Sequence, residues 1–250
     1  MALGVLRLIE QWVTWLDRQI PPGRWHDKIY SYCERGGNDA FWAEPINAWS
    51  NLAFVVAALA ALVLWLRSAG GVRRGVDLFM IFIVAVIGVG SFLFHTHASR
   101  WAMVADVAPI TVFMLFYFGY VLRRFLSLPW LVVLVGVGAF YGILNYAEGI
   151  RCDGGRCLNG SIGYLPALAV LLLSGIALLA MRRSVGWSLI AGGLVFCASL
   201  VFRTMDQQWC SIVSGIDGGP LGTHFLWHCL NAFLLFLLLR AAIYHGGRYR

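Results

Sequence analysis

Charged side chains are scarce in this sequence. Asp, Glu, Lys and Arg together make up 12% of its 250 residues, whereas a soluble domain typically carries about 25%. Hydrophobic residues make up 60%. The composition therefore excludes an ordinary water-soluble domain, because the chain lacks the polar surface that such a domain needs. It indicates instead that lipid is the solvent of most of the chain.

The basic residues lack the arrangement of a nucleic-acid-binding surface. They exceed the acidic residues by 19 to 12, a formal net charge of +7, but they form no stripe with interleaved aromatic side chains. They lie in short polar breaks between apolar runs, as in Arg73-Arg74, Arg123-Arg124 and Arg182-Arg183. We therefore exclude nucleic acid as a partner and expect a membrane lipid as the substrate.

The N-terminal residues lack the uninterrupted apolar core of a cleavable signal peptide. Arg7, Glu10 and Asp17 interrupt residues 1–20. The apolar residues there recur at helical spacing, which predicts an amphipathic helix lying in the membrane interface: Val5, Leu6, Ile9, Val13, Leu16 and Ile20. We assign residues 1–45 to an interfacial, extracytoplasmic segment.

The remaining chain, residues 46–245, contains apolar runs long enough to cross a bilayer. A spanning helix needs about 20 mostly apolar residues. Runs of this kind predict an all-α bundle of seven transmembrane helices, near residues 46–66, 77–95, 103–122, 129–146, 162–181, 185–203 and 221–243.

Loop charge predicts the orientation of the bundle. The loops after the first, third and fifth spans, together with the C-terminal tail, are almost purely basic, whereas the loops on the other face also contain acids such as Glu148 and Asp206. Basic loops mark the cytoplasmic side, so the N-terminus is predicted outside and the C-terminus inside. Lys28 is the single lysine, which is typical of a GC-rich genome and favours a multi-pass protein of a bacterial inner membrane.

Cysteine positions agree with this orientation. Cys33, Cys152, Cys157 and Cys210 all fall in segments that the loop charge assigns to the outside, where disulfides persist. Cys152 and Cys157 are close enough in sequence to close a small loop, which leaves Cys33 to pair with Cys210. The two other cysteines lie within predicted spans and are expected to pack as small hydrophobic residues: Cys197 and Cys229.

Histidines at the ends of spans form a candidate metal site. His224 and His228 are four residues apart and share one helix face, and His95 ends the second span. Three imidazoles can hold Zn²⁺ with a fourth position left open for water. The alternative is a set of hydrogen-bonded histidines in a helix bundle. His97 cannot share the helix face of His95, so we interpret it as an interfacial residue.

Two further polar residues belong to the same predicted end of the bundle. Ser91 lies one turn before His95, and Asp106 lies in the apolar start of the third span. The predicted topology brings both residues and the three histidines to one depth near the outer face. Zn²⁺ lowers the pKa of bound water, Asp106 is suited to accept its proton and return it to a leaving amine, and the Ser91 hydroxyl can bind a developing oxyanion.

At these residues the sequence resembles the alkaline ceramidase family, part of a wider group of seven-span hydrolases that also resembles the adiponectin receptors. The matching pattern is SFLFH with Ser91 and His95, then Asp106, then HFLWH with His224 and His228. The segment YCERGGNDAFWAEPINAWSN also resembles the opening of that family. The resemblance implies a Zn²⁺-dependent amidase that cleaves the N-acyl bond of a ceramide-like lipid and releases a fatty acid and a sphingoid-type amine. It implies the three histidines as zinc ligands, Asp106 as acid/base and Ser91 as oxyanion partner.

The resemblance also implies a Ca²⁺ site near the N-terminus. Glu34 and Glu44 match two of the family's ligand positions, and Tyr32 would offer a carbonyl. Ca²⁺ needs many oxygen ligands, and this sequence departs from the family pattern at two ligand positions, Ser31 and Gly36. The alternative is that the two glutamates pair with Arg35 or cap the first span.

Two other functions use the same residues. One is a receptor or hemolysin-like protein in which the metal is structural, and the other is a proton or ion pathway through the buried histidines and Asp106. A transporter typically shows paired broken spans in its two halves, and the sequence contains no such repeat. Ser91 and Asp106 beside a metal favour hydrolysis, but the acyl length and head group of the lipid do not follow from the sequence.

Overall fold

A computed structural model describes residues 24–68, 75–153, 155–215 and 218–247. The predicted amphipathic helix of residues 1–20 lies outside this part of the chain. So do four of the arginines that contribute to the loop-charge argument, namely Arg73, Arg74, Arg248 and Arg250.

The described residues contain seven helices that are long and apolar enough to cross a membrane. The predicted all-α, seven-helix bundle is therefore confirmed, and the chain has the architecture of a multi-pass integral membrane protein. In chain order, spans 1 to 7 are Pro45–Arg67, Gly75–His97, Arg100–Phe125, Trp130–Gly149, Cys157–Ala180, Val185–Met205 and His224–His245.

Three of the spans combine more than one helical segment. Span 1 consists of the helices Pro45–Ser50 and Leu52–Arg67, and span 3 is an α-helix that ends in the π-helical turn Val121–Phe125. Span 5 begins with the 3₁₀ segment Cys157–Tyr164 and continues as the α-helix Leu165–Ala180. The short antiparallel strands Arg151–Cys152 and Gly155–Arg156 precede span 5.

Large apolar side chains cover the outside of the spans. Leu131, Leu173 and Trp187 are 74%, 64% and 67% exposed, and many other leucine, valine and phenylalanine side chains face outward in the same way. A continuous apolar surface of this kind is unfavourable in water but matches the hydrocarbon of a bilayer. Cys197 and Cys229 lie within spans 6 and 7, as predicted, and are free thiols on this outer apolar surface.

Small residues bring neighbouring helices close together, as is common in membrane proteins. A Cβ atom added to Gly186 would lie 2.7 Å from the carbonyl oxygen of Gly175, which joins spans 5 and 6. A Cβ added to Gly90 would lie 2.0 Å from the carbonyl oxygen of Ala105. The close contact between Gly90 and Ala105 holds the end of span 2 against the start of span 3.

A non-helical segment, residues 24–44, packs on the end of the bundle where spans 3, 5 and 7 begin. The disulfide between Cys33 and Cys210 ties it to the loop before span 7, and a second disulfide joins Cys152 to Cys157. Both predicted disulfides are confirmed. All four cysteines lie at the same end of the bundle, which we call the outer end; its extracytoplasmic location remains a prediction.

Candidate metal centre

Three buried histidines meet at the outer end. His95 ends span 2, and His224 and His228 occupy the first two turns of span 7. Their exposed fractions are 0%, 1% and 2%, and one ring nitrogen from each lies within 4.8 Å of the others. The predicted convergence of these three side chains is confirmed.

Hydrogen bonds orient two of the rings so that one nitrogen of each remains for a metal. The Nδ1 atom of His95 lies 2.6 Å from Oε2 of Glu44, and Nδ1 of His228 lies 2.7 Å from Oγ of Ser50. The buried Nε2 atom of His95 has no hydrogen-bond partner within the described part of the chain. Histidine ligands typically bond a carboxylate or another polar group through the ring nitrogen that does not bind the metal. The arrangement therefore fits a metal ion held by three imidazoles; that this ion is Zn²⁺ remains a prediction.

Tyr32 and Asp206, neither of which was predicted at the metal site, hold His224 from two sides. The ring of Tyr32 stacks on that of His224 with centroids 3.6 Å apart. The carboxylate of Asp206 accepts hydrogen bonds from the backbone amides of Thr223 and His224, at 2.8 and 2.9 Å, and from the amide of Cys33 at 3.0 Å. Burial raises the pKa of the Asp206 carboxyl, and these three hydrogen bonds oppose the increase. Asp206 thus connects the extramembrane segment to the start of span 7.

Ser91 and Asp106 lie beside the histidines. The Ser91 hydroxyl is in hydrogen-bonding contact with the Asp106 carboxylate, and both residues line the same cavity as His224 and His228. Gly90 of span 2 lies against Ala105 of span 3. Ser91 and Asp106 are the next residues along these two spans, so the contact brings them together. The structure therefore places all five predicted zinc-site residues at one location; the roles of Ser91 and Asp106 remain predictions.

The cavity at the histidines changes from polar to apolar along its length. Its volume is about 310 Å³, and its outer part is lined by Asn145, Glu148, Arg156 and Arg203. An adjoining cavity of about 90 Å³ extends between the spans and is almost entirely apolar. Six residues line both spaces: Phe54, Ile87, Ile110, Met114, Tyr164 and Trp227.

The two glutamates that the resemblance assigns to Ca²⁺ are engaged with protein groups. Glu34 accepts hydrogen bonds from the amides of Ile46 and Asn47, at 2.7 and 2.8 Å, and so caps the start of span 1. Burial raises the pKa of Glu34. This is the capping alternative that the sequence left open.

Glu44 contacts Nε of Arg35 at 2.5 Å in addition to its bond with His95. Burial disfavours ionisation of Glu44, but His95 and Arg35 outweigh burial and hold the pKa of this carboxyl below its usual value. Arg35 is itself buried and also donates to the backbone carbonyl of His95 at 2.8 Å. The Arg35 guanidinium occupies Glu44, and backbone amides of the first helix occupy Glu34. The two carboxylates therefore do not fit a Ca²⁺ site.

His97 lies apart from the cluster, as the sequence predicted. Its ring contacts the rings of Phe41 and Trp101, with centroids 5.3 and 5.1 Å away, and its backbone carbonyl accepts a hydrogen bond from Lys28. It is therefore a useful control for the three clustered histidines, and its interfacial location remains a prediction.

Comparison of the whole chain with models of protein families finds no match, and comparison with curated proteins finds none either. The residues and geometry of the histidine cluster are therefore the basis for assigning a function.

Proposed function

We propose that this protein is a zinc-dependent integral-membrane amidase that hydrolyses the N-acyl bond of a ceramide-like lipid to a fatty acid and an amine. The observation that carries the proposal is the position of three buried, oriented imidazoles next to Ser91 and Asp106, where a polar cavity meets an apolar one. A structural metal would need the three imidazoles but neither of the other two residues.

The described residues supply the groups that amide hydrolysis needs. A bound Zn²⁺ would supply a Lewis acid that activates water and polarises a carbonyl. The Asp106 carboxylate would accept a proton from the attacking water and deliver it to the leaving amine. The Ser91 hydroxyl would donate a hydrogen bond to the oxyanion that develops on the carbonyl oxygen.

The shape of the site suits a lipid amide. The apolar cavity is lined by side chains such as Phe113, Leu235 and Leu238 and can shield an acyl chain from water. His224 and His228 line the polar cavity, and Trp227 between them lines both spaces. An amide bond at the cluster would therefore have its acyl chain directed into the bundle and its amine half directed to the outer end.

The test is hydrolysis by matched variants. Purified protein in mixed micelles would be incubated with a panel of N-acyl lipids, and released fatty acid would be measured by mass spectrometry. We expect His95→Ala, His224→Ala and His228→Ala to lose both zinc and activity, because two protein ligands are too few for a stable catalytic site. His97→Ala, outside the cluster, should retain both.

The contrast with a second class of variant separates chemistry from metal binding. Asp106→Asn and Ser91→Ala should retain zinc, while turnover falls on the order of 10²-fold or more. If zinc-loaded wild-type protein releases no fatty acid from any lipid of the panel, the enzyme proposal fails and a receptor with a structural metal takes its place. Loss of zinc from Asp106→Asn would instead make Asp106 a ligand.

A further inference from the structure

Arg203 is a buried cation in the cavity of the histidine cluster. It lies two residues before the end of span 6, is 8% exposed, and has its guanidinium over the rings of Tyr164 and Trp227, 5.3 and 5.5 Å from their centroids. One terminal nitrogen donates to the backbone carbonyl of Asn159 at 2.6 Å and to Oγ of Ser161 at 3.2 Å. The side chain is therefore fixed in place by the start of span 5.

This cation has no carboxylate partner. Within the described part of the chain, no carboxylate oxygen lies within 4.0 Å of the Arg203 guanidinium, whereas the other buried arginine, Arg35, contacts Glu44 directly. Glu148 acts on the guanidinium only from beyond this distance. A buried charge is costly unless an opposite charge accompanies it, and aromatic rings recover only part of that cost. Arg203 is thus suited to bind an anion that the protein itself does not provide.

The charged residues around the cavity agree with this. The lining contains three arginines, Arg151, Arg156 and Arg203, against two acids, Asp106 and Glu148. Asp106 is the proposed acid/base, and Glu148 is exposed at the outer end. A bound Zn²⁺ would make the cavity still more positive. The electrostatic potential of the outer part therefore favours an anion over a neutral or cationic group.

Position along the cavity identifies which half of the substrate meets Arg203. The apolar cavity is lined by Tyr117 and Leu238, which lie far along spans 3 and 7 from their outer ends. Arg203, at the outer end of span 6, lines the polar cavity of the histidine cluster and does not line the apolar one. If the acyl chain enters the apolar cavity and the amide lies at the cluster, the amine half of the substrate extends towards Arg203.

We propose that the amine half of the substrate carries an anionic group, a carboxylate or a phosphate, and that Arg203 binds it. This rests on the proposed amidase function and specifies its substrate class. An arginine forms planar, charge-assisted hydrogen bonds with either anion. The neutral amine half of a simple ceramide would leave the buried guanidinium unpaired.

Two matched pairs of amides test the proposal and distinguish the two anions. The carboxylate pair is N-oleoylglycine and N-oleoylglycinamide, and the phosphate pair is N-oleoylethanolamine phosphate and N-oleoylethanolamine. Within each pair the acyl chain is constant and only the anion is removed. We expect kcat/KM to be at least roughly 10-fold higher for the anionic member of one pair, because one charge-assisted hydrogen bond provides a preference of this size. The pair that shows the preference identifies the anion.

Variants of Arg203 test its part in this preference. Arg203→Gln should reduce the anionic-to-neutral ratio of kcat/KM by roughly 10- to 100-fold, and Arg203→Lys should retain part of the preference because it keeps the charge. The ratio is the readout because a general loss of folding lowers both rates equally. Arg100→Gln is the control: Arg100 lies at the same end of the bundle, contacts Asp27, and does not line the cavity.

A binding measurement makes the proposal testable without turnover. In zinc-loaded Asp106→Asn protein, the anionic member of the pair should raise the melting temperature more than the neutral member does. The same comparison in the Asp106→Asn, Arg203→Gln double variant should show no difference within the pair. This readout does not depend on hydrolysis.

The outcomes separate the two proposals. Equal hydrolysis and equal stabilisation by both members of each pair would overturn the anion site while leaving the amidase intact, and so would an unchanged preference in Arg203→Gln. If no lipid is hydrolysed, the amidase fails. In that case, stabilisation by the anion that disappears in the double variant would still support an anion site at Arg203, and its absence would overturn that site.

Discussion

The Nδ1 atom of His95 and the Oε2 atom of Glu44 lie 2.6 Å apart in the buried outer end of the bundle. The other carboxylate oxygen of Glu44 contacts Arg35. Arg35 and Glu44 belong to the segment before span 1, whereas His95 ends span 2. A chain of two charge-assisted contacts therefore joins the extramembrane segment to a predicted metal ligand and fixes the orientation of its ring.

Replacement of Glu44 by glutamine should weaken zinc binding. Glu44→Gln keeps the size of the side chain but removes the charge that favours an Nδ1 proton on His95, and loss of such a partner typically costs about 10- to 100-fold in metal affinity or activity. Zinc affinity would be measured by competition with a chromogenic chelator. Asp39→Asn is the control, since Asp39 is an exposed acid on the same segment. Equal zinc affinity in both variants would contradict a positioning role for Glu44.

Gly90→Ala should disturb the candidate site without touching a polar group. The added Cβ would lie 2.0 Å from the carbonyl oxygen of Ala105, so spans 2 and 3 must separate, and overpacking of this kind costs about 1–3 kcal/mol. Because Ser91 and Asp106 follow the two touching residues, we expect both a lower melting temperature and lower hydrolysis.

The control for that variant is Gly142→Ala in span 4. A Cβ added to Gly142 meets no atom within 4 Å, so its melting temperature and activity should match those of the parent protein. Wild-type behaviour of Gly90→Ala would mean that the two helices tolerate separation at this point.

The two disulfides should contribute unequally to stability. The Cys33–Cys210 bond joins residues 177 positions apart, whereas the Cys152–Cys157 bond spans five. In the chain-entropy description, stabilisation grows with the length of the closed loop and is about 2–4 kcal/mol in typical cases. Thermal unfolding of the two double-serine variants should therefore show a larger loss without the first bond. That variant should also release zinc faster, because Cys33 lies next to Tyr32, which packs on His224.

Removal of calcium should leave the protein unchanged. The carboxylates of Glu34 and Glu44 already have protein partners, and Arg35 supplies the positive charge at the second. Dialysis into Ca²⁺-free buffer that contains Zn²⁺ should alter neither activity nor melting temperature, and millimolar Ca²⁺ should restore nothing. A rise in melting temperature specific to Ca²⁺ would contradict this and support the ligand roles that the family resemblance implies.

Labelling from one side of the membrane would test the orientation. With the free thiols of Cys197 and Cys229 replaced by serine, single cysteines would be introduced in the loop 147–161 and in the tail near Arg248. A membrane-impermeant maleimide applied to intact cells should label the loop and not the tail, as the basic inner loops predict. Labelling of both would place the two segments on one side and contradict the alternation of seven spans.

The fold was predictable from the sequence because hydrophobic length is a local property. Twenty apolar residues in a row must form a helix in lipid, where every backbone group has to be satisfied within the segment. For this reason the seven predicted spans agree with the observed ones to within a few residues at most ends. The largest shift is at span 5, where the 3₁₀ segment from Cys157 extends the helix beyond the predicted residue 162.

The positions of the histidines were predictable from topology alone. Odd and even spans alternate in direction, so the end of span 2 and the starts of spans 3 and 7 must lie on the same side. His95, Asp106 and His224 mark those three ends. Topology sets only their depth, and the sequence gives no measure of which helices are neighbours within the plane of the membrane.

The sequence by itself therefore determined the number of spans, the predicted orientation, the cysteine pairs and the depth of the histidine cluster. Only the tertiary structure decided the partners of that cluster. Glu44 and Asp206 lie 51 and 18 residues from the histidines that they support, and the burial of Arg203 depends on the packing of span 5 against spans 6 and 7. Such contacts follow from the packing of whole helices and loops, which no local pattern of residues encodes.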